Sequence, residues 1–308
     1  MKTAVKSGNQ TVQTMNESAR ELVRRGAQLM VQGGVSSSSA AFDSRRLLEH
    51  FCKITKTDMV LDPSVTPKPE SAAQFICACQ RRASGEPLQY IIGSWEFMGL
   101  EFEVNPSVLI PRADTETLVT YTLEKYGDRE KSGLRILDIC CGSGCIGLAL
   151  KHFLPQSSIV LADISENALI VAQKNSRRLG LDTEIVKCDL LPGYKNRFKD
   201  SEFDIIVSNP PYIKSTDMDF LQREVKHEPR IALDGGEDGM KFYRALALLW
   251  EGALKPHGEM ILEAGYDTSR GIYSLFAECG YSEITTRRDL GGIVRLVAAK
   301  RGSGYENN

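Results

Sequence analysis

The chain has no CxxC pair and no histidines at metal-ligand spacing. Its eight cysteines stand at 52, 77, 79, 140, 141, 145, 188 and 279, and His50, His152, His227 and His257 are scattered. That distribution excludes the usual zinc arrangements, and unpaired thiols point to the reducing conditions of a cytosol rather than to a disulfide framework. Long apolar runs are missing too. The apolar stretches are strand-sized and interrupted, and the first fifteen residues are polar with no apolar core, so neither a spanning helix nor a signal peptide is expected. Strong charge of either sign is also absent, since 38 Lys and Arg against 40 Asp and Glu leave a formal net charge of −2. Tracking nucleic-acid phosphates calls for a positive surface. What remains is an ordinary globular composition, 42% hydrophobic and 25% charged, in 308 residues, long enough for two cored domains.

The most informative segment follows the apolar run Phe203 to Ser208. Asn209, Pro210, Pro211 and Tyr212 combine two hydrogen-bond acceptors, a stiffened backbone and an aromatic face. The Asn209 side-chain oxygen and the Pro210 carbonyl can each accept one N–H of a planar NH2 group and so aim its nitrogen. Such a nitrogen is a poor nucleophile because its lone pair is delocalised, and acceptors already in place stabilise the charge that grows on it during bond formation. Pro211 pushes residue 210 toward extended geometry and removes a competing donor, and Tyr212 can stack on the group. The arrangement suits methyl transfer to an amide or amino nitrogen. The same four residues also suit a plain turn after a strand.

A cofactor-type motif lies upstream. Leu134 to Ile139 reads as a buried strand running into Cys140-Cys141-Gly142-Ser143-Gly144-Cys145-Ile146-Gly147 and then an apolar helix. Gly142 and Gly144 let the backbone approach a ligand, and the helix start presents free N–H groups. A second strand, Ile159 to Ala162, ends at Asp163, an acidic position suited to ribose hydroxyls. These features identify an adenosine cofactor without choosing between NAD and S-adenosyl-L-methionine. Asn209 to Tyr212 choose the latter, because they have a task in methyl transfer and none in hydride transfer.

The alternation continues through a helix from Ser165 to Gly180, a strand from Thr183 to Lys187 followed by Asp189, a strand from Phe203 to Ser208, a helix from Gly239 to Leu254, a strand from Gly258 to Glu263, a helix from Thr268 to Cys279, and a closing pair, Tyr281 to Thr286 with Ile293 to Ala299. This predicts an α/β doubly wound parallel sheet with ligands at the carboxyl ends of its strands. The glycine turn, Asp163, Asp189 and Asn209 all fall at such ends, with Asp189 suited either to an adenine amino group or to a plain loop.

At the level of whole blocks the chain resembles the HemK/PrmC family, the N5-glutamine methyltransferases of peptide chain release factors. The resemblance rests on Ile110 to Glu116, LDICCGSGCIGLAL at 137 to 150, FDIIVSNPPYI at 203 to 213 and EPRIALDGGEDGMKFYR at 228 to 244, in order, within about residues 15 to 300. It implies a Rossmann-like seven-stranded class I methyltransferase domain over 111–301, preceded by a helical substrate-docking domain over 15–86 and a β-hairpin connector over 87–110, with a disordered lead at 1–14 and a tail at 302–308. It implies S-adenosyl-L-methionine as donor, S-adenosyl-L-homocysteine as product, and as substrate the glutamine of a release factor's Gly-Gly-Gln motif, so that translation termination is modulated. Carried over by position, Cys140, Cys141, Gly142, Ser143, Gly144, Asp163, Asp189, Leu190 and Asn209 contact the cofactor, while Asn209, Pro210, Pro211 and Tyr212 hold the glutamine, with Asn209, Pro210 and Tyr212 catalytic. Two departures stand out: the family usually has glycine where Cys140 stands, and an aromatic residue where Leu190 stands. Arg112 and Glu116 either close over the methionine end of the cofactor or simply open a helix, and His227 follows close enough to approach the site. A cytoplasmic monomer is expected.

The N-terminal part differs in kind. Asn16 to Val31, Ser39 to Cys52 and Glu70 to Ala83 have helical periodicity, with Pro63, Pro67 and Pro69 breaking the chain between the last two. Residues 1–87 hold twelve Lys and Arg against eight Asp and Glu, and the remainder 26 against 32. Three Arg-Arg pairs, at 24–25, 45–46 and 81–82, read either as docking contacts or as solvated helix faces. Pro87 to Gly93 with Trp95 to Val104 reads as a hairpin, its turn within Gly93 to Gly99. Two rivals stay open: an N6-adenine or N2-guanine nucleic-acid methyltransferase using the same clamp, which the acidic larger half disfavours, and a non-catalytic adaptor, which the intact motifs disfavour.

Overall fold

A computed structural model of the chain describes residues 17–127, 133–289 and 291–302. It divides into two compact units at Ile92 and Gly93. The expected lead at 1–14 and residues 303–308 of the expected tail lie outside the described residues.

The first unit is a helical bundle of α1 (Ala19–Gln32), α2 (Ser37–Cys52), α3 (Lys56–Leu61), α4 (Pro69–Ala83) and α5 (Leu88–Ile92). Ser18 and Glu21 form a capping box that starts α1, and Pro69 occupies the first turn of α4, where its missing N–H costs nothing. Gly26 sits where the helices come closest, since a Cβ there would lie 2.7 Å from Phe75 and 2.8 Å from the Cys79 sulfur. The helix at α3 escapes periodicity because it is one short turn and a half, held by a Thr55–Asp58 capping box. The expectation of extended chain at Pro87 to Gly93 is corrected: the N–H groups of Tyr90 and Ile91 return to the Pro87 carbonyl, and the segment closes into α5. The arginine pairs are corrected in part. Arg82 is neither a docking contact nor solvated, because its guanidinium is buried against Asp43 at 2.7 Å, and Arg25, Arg46 and Arg81 pair with Glu17, Glu49 and Glu86.

The second unit opens with a hairpin, β1 (Ser94–Phe97) antiparallel to β2 (Leu100–Glu103). Its turn is only Met98 and Gly99, both at positive φ (53° and 75°), a two-residue connection whose twist matches the strands. Then come α6 (Glu116–Tyr126), β3 (Arg135–Ile139), α7 (Cys145–Phe153), β4 (Ser158–Asp163), α8 (Glu166–Leu179), β5 (Glu184–Lys187), β6 (Phe203–Ser208), α9 (Lys241–Leu249), β7 (Leu254–Glu263), α10 (Ser269–Glu278), β8 (Ser282–Arg288) and β9 (Val294–Lys300). The seven long-range strands lie in the order β5-β4-β3-β6-β7-β9-β8, the first five parallel and β9 antiparallel to both its neighbours.

Alternation along each strand divides the core. Leu137, Ile139, Val160, Ala162 and Ile206 face α9 and α10 with Tyr243, Trp250 and Phe276, whereas Ile136, Ile159, Leu161, Ile205 and Val207 face α6 and α7 with Leu118, Leu148 and Ala149. The helix α9 stops earlier than the expected Leu254, because Trp250 turns inward to donate its Nε1–H to the Leu190 carbonyl at 2.9 Å. Chain order reverses at β3, with β4 on one side and β6 on the other, which opens a crevice at the carboxyl ends of those strands.

Candidate functional site

That crevice is a cleft whose walls come from four consecutive strand ends. Cys140, Cys141, Gly142 and Ser143 after β3, Asp163 with Ile164 at the end of β4, Cys188 to Leu191 after β5, and Asn209 with Pro211 after β6 all line it. Ser107 to Leu109, Pro111, Arg112 and Thr115 close one side, and Pro229, Ile231, Ala232, Lys241 and Phe242 another. Of the residues assigned to the cofactor or the glutamine from the sequence, Gly144, Pro210 and Tyr212 do not line it.

The turn after β3 is shaped by backbone conformation. Cys140, Gly142 and Gly144 take φ of 62°, 55° and 78°, the left-handed region, so the cysteine at 140 adopts a conformation that glycine accepts more readily. Nothing lies within 4 Å of a Cβ added at Gly142, whereas one added at Gly147 would fall 2.4 Å from Leu161 and 3.0 Å from the Asp138 carboxylate. Gly142 therefore keeps the cleft open and Gly147 lets α7 close onto β3 and β4. Asp138 Oδ2 accepts the Gly147 N–H at 2.8 Å, and burial pushes this carboxyl up to about 7. Asn175 of α8, fully buried, donates to the carbonyls of Ser143 (3.0 Å) and Glu103 (3.1 Å), tying the turn to the hairpin.

Asp163 is held by the Gly142 N–H on Oδ2 (3.0 Å) and the Ser165 N–H on Oδ1 (2.8 Å), which leaves lone pairs on both oxygens for a diol. Burial raises its pKa against the pull of those two N–H groups. The thiols nearby stay neutral, because burial pushes Cys140 and Cys141 well above the usual range, Cys145 to about 12 and Cys188 to about 11. Leu190, buried, with exposed Ile164 and Leu191, gives the far end of the cleft apolar walls, and Asp189 Oδ1 accepts the Leu191 N–H at 3.0 Å. The aromatic face missing at 190 is thus replaced by aliphatic surface.

Asn209 points its Nδ2 at the Thr115 hydroxyl oxygen, 3.5 Å away, which leaves Oδ1 as its remaining acceptor. The segment behind it is gripped by residues far along the chain. Ile213 forms a parallel bridge with Asp234, and a Cβ at Gly235 would fall 2.6 Å from the Tyr212 Cα, one at Gly239 2.5 Å from the Tyr212 carbonyl oxygen, and one at Gly265 2.8 Å from the Tyr212 ring. Tyr212 is half-buried in this glycine cradle, and burial raises its phenol pKa further. Arg112 lines the cleft but is ion-paired to buried Glu228, whose other oxygen accepts the Ile110 N–H at 3.0 Å. Glu116 turns away to accept the Met98 N–H at 2.9 Å, and His227 is exposed outside the cleft. Thr115, Asn175, Glu228 and the three cradle glycines carry the site without having been assigned a task from sequence. The run Asp234-Gly235-Gly236-Glu237-Asp238-Gly239 held the only visible signal, since so many glycines imply left-handed or closely approached backbone.

Among the described residues no group of His, Cys, Asp and Glu could hold a metal ion, and no helix is long and apolar enough to cross a membrane. The Methyltransferase small domain family matches residues 115–238, and the PrmC N-terminal domain family matches residues 21–93. A protein of Geobacter sulfurreducens named release factor glutamine methyltransferase is 40% identical over 242 residues, spanning 78% of this chain and 82% of that one. Its namesake from Moorella thermoacetica is 38% identical over 268 residues, 87% of this chain and 91% of that one. The crystal structure of a methyltransferase from Pyrococcus furiosus shares the fold, with a TM-score of 0.50 at 20% identity over 67% of this chain and 91% of that one.

Proposed function

We propose, for a chain that belongs to the release factor glutamine methyltransferase family, that the cleft holds S-adenosyl-L-methionine beside a clamp for the glutamine of a Gly-Gly-Gln motif. The observation that carries this is the meeting of Cys140 to Ser143, Asp163, Asp189, Leu190 and Asn209 on one cleft at the carboxyl ends of β3 to β6 of a seven-stranded class I methyltransferase domain. The residues present fit the donor. Gly142 offers bare backbone with open space beside it, Asp163 keeps free lone pairs for ribose hydroxyls, and Ile164, Leu190 and Leu191 form an apolar slot for a purine, next to Asp189. Cys140 and Cys141 take part through backbone and neutral thiols, and Gly144 sets the start of α7.

S-adenosyl-L-methionine, when bound, supplies a methyl group on a sulfonium. The chain's part is to hold the nucleophile. Asn209 Oδ1 and the Pro210 carbonyl accept the two amide hydrogens of the glutamine, so that its nitrogen lone pair points into the cleft. As positive charge grows on that nitrogen, these two acceptors stabilise it without moving. Pro211 holds residue 210 extended, and Tyr212, seated in its glycine cradle behind the cleft, fixes the end of the segment. The proton leaves late, to solvent water, from a nitrogen made acidic by alkylation, so no strong base is needed; the neutral thiols and the paired Arg112 are consistent with that.

The target is a release factor in the cytoplasm, methylated at the glutamine N5 by a monomer, with the helical unit as its docking module. A nucleic-acid base fits the clamp less well, because the part of the chain that carries it has 26 Lys and Arg against 32 Asp and Glu. The deciding experiment is mass spectrometry of a purified release factor after incubation with the full chain and donor, with duplex DNA and RNA as parallel substrates. One added methyl on the Gly-Gly-Gln glutamine is expected, and methylated nucleic acid with an unmodified release factor would refute the reading. Asn209→Ala should fold normally and raise the barrier by roughly 2 to 4 kcal/mol, as removal of a preorganised polar group does elsewhere; a near-normal rate would remove Asn209 from the clamp.

A further inference from the structure

The carboxyl end of β7 carries a buried acid that no step above uses. The parallel register pairs Ser208 with Leu262, so Glu263 stands one position further along, beside Asn209. Its side chain is 2% exposed and faces the hydroxyls of Thr115 and Tyr212, with Arg295 and Asp114 farther off, and its Oε2 has no hydrogen-bond partner among the described residues. A carboxyl so placed is costly to bury, and nothing in the packing of β7 requires it.

The hydroxyl of Thr115 shows what it does. Thr115 is 3% exposed and accepts the Asn209 Nδ2–H at 3.5 Å. A hydroxyl has a single proton, and one that is to receive an N–H must turn that proton elsewhere. The buried Glu263 carboxylate beside Asn209, its Oε2 without a partner among the described residues, is placed to take it. We propose that Glu263 is a positioning residue for methyl transfer: by taking the Thr115 proton it turns the Thr115 oxygen toward Asn209 Nδ2 and keeps Asn209 Oδ1 facing the substrate amide. Without this polarity the Asn209 side chain can rotate by half a turn and present NH2 where an acceptor is required, which repels the glutamine N–H groups. The inference rests on the reading of Asn209 as the substrate's acceptor.

The test uses the full chain, a release factor and S-adenosyl-L-methionine, with Thr115→Val, Thr115→Ser, Glu263→Gln and the Thr115→Val/Glu263→Gln double variant. Thr115→Val keeps the shape and loses the hydroxyl. It is expected to lower kcat by about 10- to 100-fold, with donor affinity by calorimetry within about twofold of wild type, while Thr115→Ser stays within about threefold of wild-type kcat. The double variant should be no slower than the worse single, because both act through one relay. Wild-type kcat in Thr115→Val, equal losses in the serine and valine variants, multiplying losses in the double variant, or a parallel fall in donor affinity would each overturn the proposal. If Glu263→Gln does not fold, the valine and serine pair decides the threonine's part, and wild-type kcat in a Glu263→Met variant would overturn the part given to the acid. A wild-type chain that fails to methylate the release factor would overturn the underlying clamp reading as well, and is distinguished by that control.

Discussion

Two glycines, one in the turn after β3 and one in the first turn of α7, do opposite jobs, and substitution should separate them. At Gly142 a methyl group meets open space but must adopt a φ of 55°, so Gly142→Ala should cost about 1 kcal/mol of stability while projecting a methyl into the cleft. At Gly147 the methyl meets Leu161 at 2.4 Å and the Asp138 carboxylate at 3.0 Å, so Gly147→Ala should cost about 1 to 3 kcal/mol by overpacking. Urea unfolding and calorimetric titration with the donor check the pair: Gly142→Ala should lose about tenfold in affinity with a modest stability change, and Gly147→Ala the larger part of its effect in stability. The cleft's own residues were legible because each motif is local: glycines between a strand and a helix, an acid at the next strand end, Asn-Pro-Pro-Tyr after β6. Thr115, Asn175 and Glu263 were not, because a threonine, an asparagine and a strand-end glutamate have no local pattern. Their meaning appears only when register sets them beside the turn and the clamp.

Elements are pinned to each other by a few buried polar groups as well as by apolar faces. The central one is Glu259 of β7, fully buried, which accepts from the Tyr121 hydroxyl (2.8 Å), from Lys125 Nζ (2.7 Å) and from the Tyr126 hydroxyl, all on α6. Removing that carboxylate strands three donors at once. Glu259→Leu should therefore cost about 3 to 5 kcal/mol, and Lys125→Met only about 1 to 2 kcal/mol, since two tyrosine hydroxyls still satisfy the acid. Denaturant midpoints of the two variants give the comparison, and an equal loss in both would mean that the ion pair rather than the tyrosines holds α6. Helix ends were readable where a cap is local: Ser165 accepts the Ala168 N–H, and Gly180 closes α8 in the left-handed region. They were not readable at α9, where the stop is imposed by Trp250 reaching Leu190 across the core, nor at α5, where Ile91 and Ile92 suggested a strand that the Pro87 carbonyl overrides.

At the scale of the whole molecule, the chain divides between Ile92 and Gly93, and the cleft belongs to the second unit alone. Every residue lining the cleft lies between Ser107 and Phe242, and the second unit has its own two-faced core. A chain beginning at Gly93 should bind the donor within about twofold of the full chain's affinity, and, if the helical unit docks the partner, should methylate an intact release factor much more slowly. Comparing calorimetry with release-factor kinetics tests both halves of that expectation. The alternation of elements made the parallel sheet readable, but not the strand order, because the reversal at β3 depends on which neighbour each crossover chooses.

The cradle around Tyr212 has a practical corollary for protein engineering. Because Gly235, Gly239 and Gly265 press on a residue up to 53 positions earlier, the four-residue segment is not a portable cassette. Grafting Asn-Pro-Pro-Tyr onto another Rossmann-like scaffold without the downstream glycine loop would transplant the letters and leave behind the mould that gives them their shape.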